Sequence, residues 1–207
     1  MDTLLQKLAN KISLETNRDT EIMLFALRVL WNLFAGYALL GVSSFLLGIS
    51  SYSIIAALFS SILKVVSGGA HASSSNRCLV YGTLVFLFLG YLGRQIIYYN
   101  PGDLLDISIV LIWVTGIPII FKYAISSITG KPLGTSSAGR KLRNISICCL
   151  SIWAVVVLII DGHATGEFSR IFTVSSLMGV SYQIYSLTPW GYKTVDIVDK
   201  LLRKIHI

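Results

Sequence analysis

The sequence predicts an all-α, polytopic integral membrane protein: about six transmembrane helices, with an amphipathic interfacial helix ahead of them. Three observations carry that expectation. Of 207 residues, 54% are hydrophobic and only 13% are charged, where a typical soluble domain is about a quarter charged. Mean hydropathy is +0.73. Several apolar runs approach the roughly twenty residues that cross a bilayer core. The whole of 1–207 reads as one membrane domain.

Residues 1–21 place Leu4, Leu5, Leu8 and Ile12 on one helical stripe, with Lys7, Asn10 and Lys11 opposite. That pattern suits a short helix lying at a membrane surface. Because these residues are polar, they do not resemble a cleaved signal. The first span is expected over about Val29–Ile49, followed by a Ser50-Ser51 turn. The second, about Tyr52–Val66, is short and must use the polar end around Lys64 or be partly re-entrant. The third covers about Leu79–Tyr98, and Asn100-Pro101-Gly102 marks a turn. The fourth covers about Leu104–Tyr123, with Pro118 inside it. A basic loop over 122–143 carries Lys122, Lys131, Arg140, Lys141 and Arg143 without an acidic residue. The fifth span is expected over about Ile145–Ile160, then a loop from Asp161 to Glu167, then the sixth over about Ile171–Leu187. The tail, 190–207, looks amphipathic.

Net charge is +7, and nucleic acid is not its implied partner, because membrane proteins gather Lys and Arg in cytoplasmic loops. Six spans put both termini on one side, together with the stretch at 64–78. That side holds fourteen Lys/Arg residues, against Arg94 and Arg170 on the other, with Arg28 interfacial. The bias predicts cytoplasmic termini and a cytoplasmic 64–78 loop.

That loop, from Lys64 to Cys78, is a Gly- and Ser-rich break between two apolar segments. It holds one His and one Cys, the pair that thiol nucleophiles require. His71 and Cys78 are seven residues apart, and a continuous helix would separate them by roughly 10 Å. They can meet only if the backbone folds between them, which Ser73-Ser74-Ser75-Asn76 permits. Asn76 is expected to cap a helix from Leu79. Cys78 then sits at a helix start, where the dipole and Arg77 favour a thiolate. The roles that follow are Cys78 as nucleophile and His71 as its general base, later the acid for a leaving amine. Oxyanion donors would come from the Cys78 amide or the side chains of Ser75 or Asn76. Cys148 and Cys149, adjacent in an apolar run, read as packing residues.

Gly68-Gly69-Ala70-His71-Ala72 followed by Cys78 resembles the hallmark of the accessory gene regulator B (AgrB) family, Gram-positive membrane endopeptidases that process a quorum-sensing pro-peptide. Lys64 matches a basic position that is usually Arg in that family. Lys131-Pro132-Leu133 is similar to its Lys-Pro-Leu segment, ahead of the Arg140, Lys141 and Arg143 patch. Leu187-Thr188-Pro189-Trp190-Gly191-Tyr192 is similar to its C-terminal ending. The resemblance implies a cysteine endopeptidase of a bacterial cell membrane. Its partner would be an AgrD-like precursor whose acidic tail is released through a Cys78 thioester, with closure of a thiolactone or lactone ring. The basic loop and the N-terminal helix would hold the precursor at the membrane surface. Whether the protein forms a homodimer is left open.

The rival from another class is a small transporter or peptide exporter, with Asp106, Pro118 and Gly-rich spans lining a path. It would work with Cys78 replaced by Ser. No cofactor is expected: paired-glutamate and clustered-His metal signatures are missing, and so is a P-loop. Asp161 and His163 resemble catalytic groups, but fall on the face opposite the His71/Cys78 loop.

Overall fold

The computed structural model describes residues 2–16, 19–99, 104–124, 137–163 and 166–205. All regular structure among them is helical, as the composition predicts. The eight helices are α1 (Asp2–Thr16), α2 (Thr20–Leu46), α3 (Ser50–Ser67), α4 (Ser75–Tyr98), α5 (Leu104–Tyr123), α6 (Ser137–His163), α7 (Glu167–Leu187) and α8 (Pro189–Lys204). They fall into two compact units, Met1–Leu39 and Leu40–Ile207.

In the first unit, α1 covers Leu5 and Ala9 and leaves Leu4 and Leu8 exposed. Asp19 caps α2, its carboxylate accepting from the Glu21 amide at 2.8 Å. α2 therefore starts well before the expected Val29. It also stops at Leu46 rather than Ile49, because Gly48 adopts φ 66°. Ser50 and Ser51, expected as a turn, form the first turn of α3.

Five helices, α2 to α6, are long and apolar enough to cross a membrane. The expected sixth span is α7, which has 21 residues and so about 32 Å of length, yet is too polar to satisfy the same test. Its position accounts for its composition. α7 packs against α3, α4, α5, α6 and α8, and it buries Thr173, Ser175, Ser176, Gln183 and Ser186 inside the bundle. Polar groups at membrane depth face protein here rather than lipid.

Small side chains let these helices approach. α3 presents Ser53, Ala56, Ala57, Ser60, Leu63 and Ser67 as a buried stripe, at the spacing of one helix face. A Cβ on Gly179 of α7 would run into the Ala56 carbonyl oxygen and lie 3.0 Å from its Cα. One on Gly90 of α4 would meet the Ser53 side chain, and one on Gly116 of α5 would lie 2.6 Å from Ile184 Cδ1. Such small-residue seams replace the hydrophobic drive that lipid removes between membrane helices. Larger apolar groups close the other side: Ile109, Ile120, Leu150, Trp153, Val157, Val174 and Ile184 form the core.

Two expected loops prove shorter. α6 begins at Ser137 and runs through His163, so Arg140, Lys141 and Arg143 lie on its first turns rather than in a basic loop. Asp161, Gly162 and His163 likewise end that helix rather than start a loop. Lys131 and its Pro132-Leu133 neighbours lie outside the described residues. The tail is also ordered as a helix. Thr188 caps α8 by accepting from the Gly191 amide at 3.2 Å, and Pro189 occupies its first turn. Gly191 packs on the end of α7, where a Cβ would sit 2.6 Å from Ser186 Cα. α8 turns Gly191, Val195 and Leu202 inward and leaves Trp190, Ile197 and Leu201 exposed.

The α3–α7 seam sets a direct expectation. Gly179→Ala should lower stability by about 1–3 kcal/mol through overpacking. Gly82→Ala on α4, where a Cβ meets nothing within 4 Å, should be neutral or gain up to about 1 kcal/mol from helix propensity. Thermal unfolding followed by circular dichroism in detergent micelles separates the two, and equal midpoints would contradict the close approach.

Candidate active site

The site is assembled where α3 ends, α4 begins and α7 gives way to α8. α3 stops at Ser67 because Gly68 and Gly69 take φ values of 77° and 131°, which a side chain would resist. Gly69 also has no room for one: a Cβ there would lie 2.8 Å from Ser186 Oγ and 3.2 Å from Gln183 Nε2. The glycine pair thus lays the backbone directly on the last turn of α7.

Gln183, fully buried, is the fastening. Its Nε2 donates to the Gly68 carbonyl at 2.6 Å and to Ser67 Oγ at 3.1 Å. Ser186 Oγ, which donates to the Gln183 backbone carbonyl, lies 3.1 Å from Gln183 Oε1. The Ala70 amide donates to the Ser186 carbonyl at 3.2 Å. Lys64, the basic residue singled out in the sequence, donates through Nζ to the Ala70 carbonyl at 3.0 Å. Residues 67–70 are buried as a result, while His71 emerges at the exposed edge.

The other flank is held by α8. The Asp199 carboxylate accepts from the Ser73 amide at 3.0 Å, from the Ser73 hydroxyl at 2.7 Å and from Arg77 Nε at 2.9 Å. Hydrogen bonds from Ser73 and then Arg77 hold its pKa down at about 2. Arg77 Nη2 also donates to Ser73 Oγ at 2.7 Å.

Ser74, not Asn76, is the cap of α4. Its backbone is extended, and its side-chain oxygen accepts from the Arg77 amide at 3.3 Å. The serine oxygen sits three residues ahead of that donor, the usual capping reach, so α4 starts at Ser75 and takes Asn76 into its first turn. Cys78 remains in the first turn as expected. Its amide already donates to the Ser74 carbonyl at 2.9 Å, so that amide is spent and cannot serve an oxyanion.

The fold-back between the two flanks brings Cys78 Sγ to 4.0 Å from His71 Nδ1. Partial burial of the ring, and secondarily the Lys64 charge, push the His71 pKa down to about 4. The imidazole is therefore neutral near pH 7 and can accept a proton. Tyr81, one turn beyond Cys78 on α4, shares a hydroxyl hydrogen bond with Tyr182 of α7, and both lie within electrostatic reach of Cys78.

Of the remaining sequence-named residues, Ser75 and Asn76 are exposed beside the pair on the first turn of α4. Arg140 and Lys141 are exposed on the first turns of α6. Arg143 is half-buried, with its guanidinium 4.2 Å from the Phe121 ring centre. Asp161 lies near Asp106 and Arg170, at the other end of α6 and α7 from the His71/Cys78 loop. Among the described residues, no group of three or more His, Cys, Asp or Glu side chains could hold a metal ion. Gln183, Ser186 and Asp199 are the positions that the sequence alone did not single out. The signals were a lone amide in an apolar run and an acid in a basic tail.

Residues 1–187 match the family described as Accessory gene regulator B. The chain belongs to the AgrB family. Among curated relatives, AgrB-like protein 2 of Clostridium perfringens (strain 13 / Type A) is 25% identical over 205 residues, covering 96% of each chain. An AgrB-like protein of Clostridium perfringens (strain SM101 / Type A) is 24% identical over 212 residues, covering 99% of each. No solved structure matches the chain at a significant level. The AgrB match stops at Leu187, so the Thr188–Tyr192 cap and all of α8 lie beyond it.

The Gln183 fastening can be tested on its own. Gln183→Leu leaves the buried Gly68 carbonyl without that donor, which should cost about 1–3 kcal/mol. Hydrogen exchange should show lost protection at Ala70, whose amide depends on the same seat. Unchanged protection there would mean the glycine turn is held by its own conformation alone.

Proposed function

We propose that this AgrB-family chain is a membrane cysteine endopeptidase that cuts an AgrD-like precursor. One observation supports this above the others: Cys78 Sγ stands 4.0 Å from His71 Nδ1, on a loop fastened at both flanks. Thiol–imidazole contacts in resting sites are commonly long and tighten when substrate binds.

In this mechanism, the neutral His71 Nδ1 takes the Cys78 thiol proton as Sγ attacks the scissile carbonyl carbon. The oxyanion forms at the mouth of the site. With the Cys78 amide engaged, the side chains of Asn76 and Ser75 on the first turn of α4 are the donors that remain of those named from sequence. The tetrahedral species collapses to a Cys78 thioester, and His71 returns its proton to the departing amine of the tail. A thiol or hydroxyl within the retained peptide then attacks the thioester carbonyl. Its proton passes to His71, the ring closes, and the Cys78 sulfur leaves to be reprotonated. Thioester exchange is close to isoenergetic when the attacking group is a thiol.

The Lys and Arg distribution supports a cytoplasmic location for this end of the bundle and for both termini. Lys64, Arg77 and the α8 cations Lys193, Lys200, Arg203 and Lys204 belong to the dyad end. Arg77 is paired with Asp199 and Lys200 with Asp196, so Lys193, Arg203 and Lys204 carry the positive charge suited to an acidic tail. Arg140 and Lys141 are exposed on the first turns of α6, whereas Arg143 lies against Phe121.

Purified protein in liposomes, given a candidate precursor and followed by mass spectrometry, tests the chemistry. Wild type should release the tail and trap a thioester. Cys78→Ala should abolish both, and His71→Ala should slow cleavage by about 10²–10⁴-fold. Cleavage that survives Cys78→Ala would sink the peptidase and favour an exporter served by another protease. The acid limb of kcat/KM should fall near pH 4, where His71 becomes protonated and ceases to be a base, rather than near the ordinary value of 6.5. Reversing charge at Arg140 and Lys141 should raise KM, and an unchanged KM would remove those residues from tail binding.

A further inference from the structure

We propose that Asp199 of α8 is a positioning residue for the His71–Cys78 pair. The proposal rests on the peptidase assignment for its catalytic meaning, but not for its geometry. Ser73 lies two residues after His71, and Arg77 immediately precedes Cys78. A single carboxylate holds both: Oδ1 accepts from the Ser73 amide at 3.0 Å and from Arg77 Nε at 2.9 Å, and Oδ2 accepts the Ser73 hydroxyl at 2.7 Å. The clamp spans the segment that must fold back for the pair to approach. In a continuous helix the pair would stand roughly 10 Å apart; here the separation is 4.0 Å.

The fastenings on the other flank do not duplicate this role. Gln183, Ser186 and Lys64 grip residues 67–70, which orients the chain entering His71 and leaves the 73–77 segment untouched. Arg77 and Asp199 side chains are only 16% and 12% exposed, and charge-assisted hydrogen bonds so covered are the strong kind. α8 delivers the carboxylate by ordinary packing. Asp199 lies between the inward-facing Val195 and Leu202, four residues after one and three before the other, so all three share a helix face. Asp196, a turn away, shows the contrast: it pairs with Lys200 on the exposed side, where both side chains are more than half exposed. The clamp residue lies beyond residues 1–187, which match the family, but within the 99% of the chain that aligns with an AgrB-like protein.

The groups around the pair are few. His71 faces Lys64 of α3 and Cys78 of α4, Asp199 faces Arg77 and Ser73, and Tyr81 and Tyr182 stand beyond Cys78. A readout on Cys78 itself therefore reports the pair without any substrate. The measurement is the rate of Cys78 alkylation by iodoacetamide against pH, in proteoliposomes of full-length protein carrying Cys148→Ala and Cys149→Ala. The variants are Asp199→Ala, Asp199→Asn, His71→Ala and, as a control, Asp196→Ala.

The wild-type and His71→Ala profiles should differ. Asp199→Ala should collapse onto the His71→Ala profile, and Asp199→Asn, which keeps an acceptor oxygen, should fall between them. Asp196→Ala should follow the wild type. In precursor cleavage, Asp199→Ala should lose about 100-fold in kcat, the scale of a 1 Å misplacement, with KM little changed. An Asp199→Ala profile that overlays the wild type overturns the proposal. So do coincident wild-type and His71→Ala profiles, since no coupled pair would then exist to position. Should Asp199→Ala fail to fold, Asp199→Asn carries the same decision. Profiles that separate as expected while the wild type cleaves no precursor would sink the peptidase and leave the positioning role standing. Cleavage with an unchanged Asp199→Ala kcat would do the reverse.

Discussion

A buried amide holds the loop end of this bundle together. Gln183 is fully enclosed on α7, and its Nε2 reaches the Gly68 carbonyl at 2.6 Å. An unsatisfied amide or carbonyl at that depth would lose the full value of its hydration. The glycine turn and the glutamine therefore need each other. Remove the amide and a backbone carbonyl is stranded; remove the glycines and Gln183 and Ser186 meet a Cβ instead of a carbonyl. Everything that follows in the chain starts from that seat: the exit of His71, the return through Ser73 and the launch of α4.

The same economy explains the unusual composition of α7. A helix in the middle of a membrane bundle needs no apolar coat where other helices cover it, and it can spend its side chains on close approach and on hydrogen bonds. Gly179 admits the Ala56 backbone, and Gln183 and Ser186 take the loop. The lipid-facing work falls to neighbours such as α5, whose Leu104, Val110, Leu111, Val114 and Phe121 are exposed. Packing and chemistry thus share one helix, so the most polar of the long helices is also the most enclosed.

That arrangement also decides what could be read from sequence. The all-α membrane class, the α5 bounds and the position of the His/Cys loop follow from composition, apolar run length and punctuation, which are local properties. The tail's amphipathic character followed too, but the helix starts did not. Ser74 outcompeted Asn76 as a cap because three successive serines and an asparagine can each fill that role, and the choice rests on Ser73 being held by Asp199, 126 residues away. α6 was expected to start at Ile145. The Arg140–Arg143 segment is polar enough to resemble a loop, but a helix on the bundle's edge can expose Arg140 and Lys141 while laying Arg143 on Phe121. Asp161 and His163 did fall away from the dyad end, since alternation of the spans alone separates them. Gln183 and Asp199 were beyond reach, because each matters through a partner remote in sequence and neither belongs to a motif.

The pair at 4.0 Å is held from two directions by unlike forces. From inside, α7 fixes the approach to His71 through buried, neutral hydrogen bonds that water cannot challenge. From outside, α8 fixes the approach to Cys78 through a charged clamp at the protein's edge, strong because Ser73 and Arg77 both contribute and because the side chains are largely covered. The inner fastening makes the loop; the outer one sets its curvature. α8 shows Trp190, Ile197 and Leu201 on its exposed side and Asp199 on the other. α8 touches both fastenings: Asp199 holds Ser73 and Arg77, and Gly191 packs against Ser186 beside Gln183. The separation of His71 and Cys78 thus answers to α8 as well as to α7.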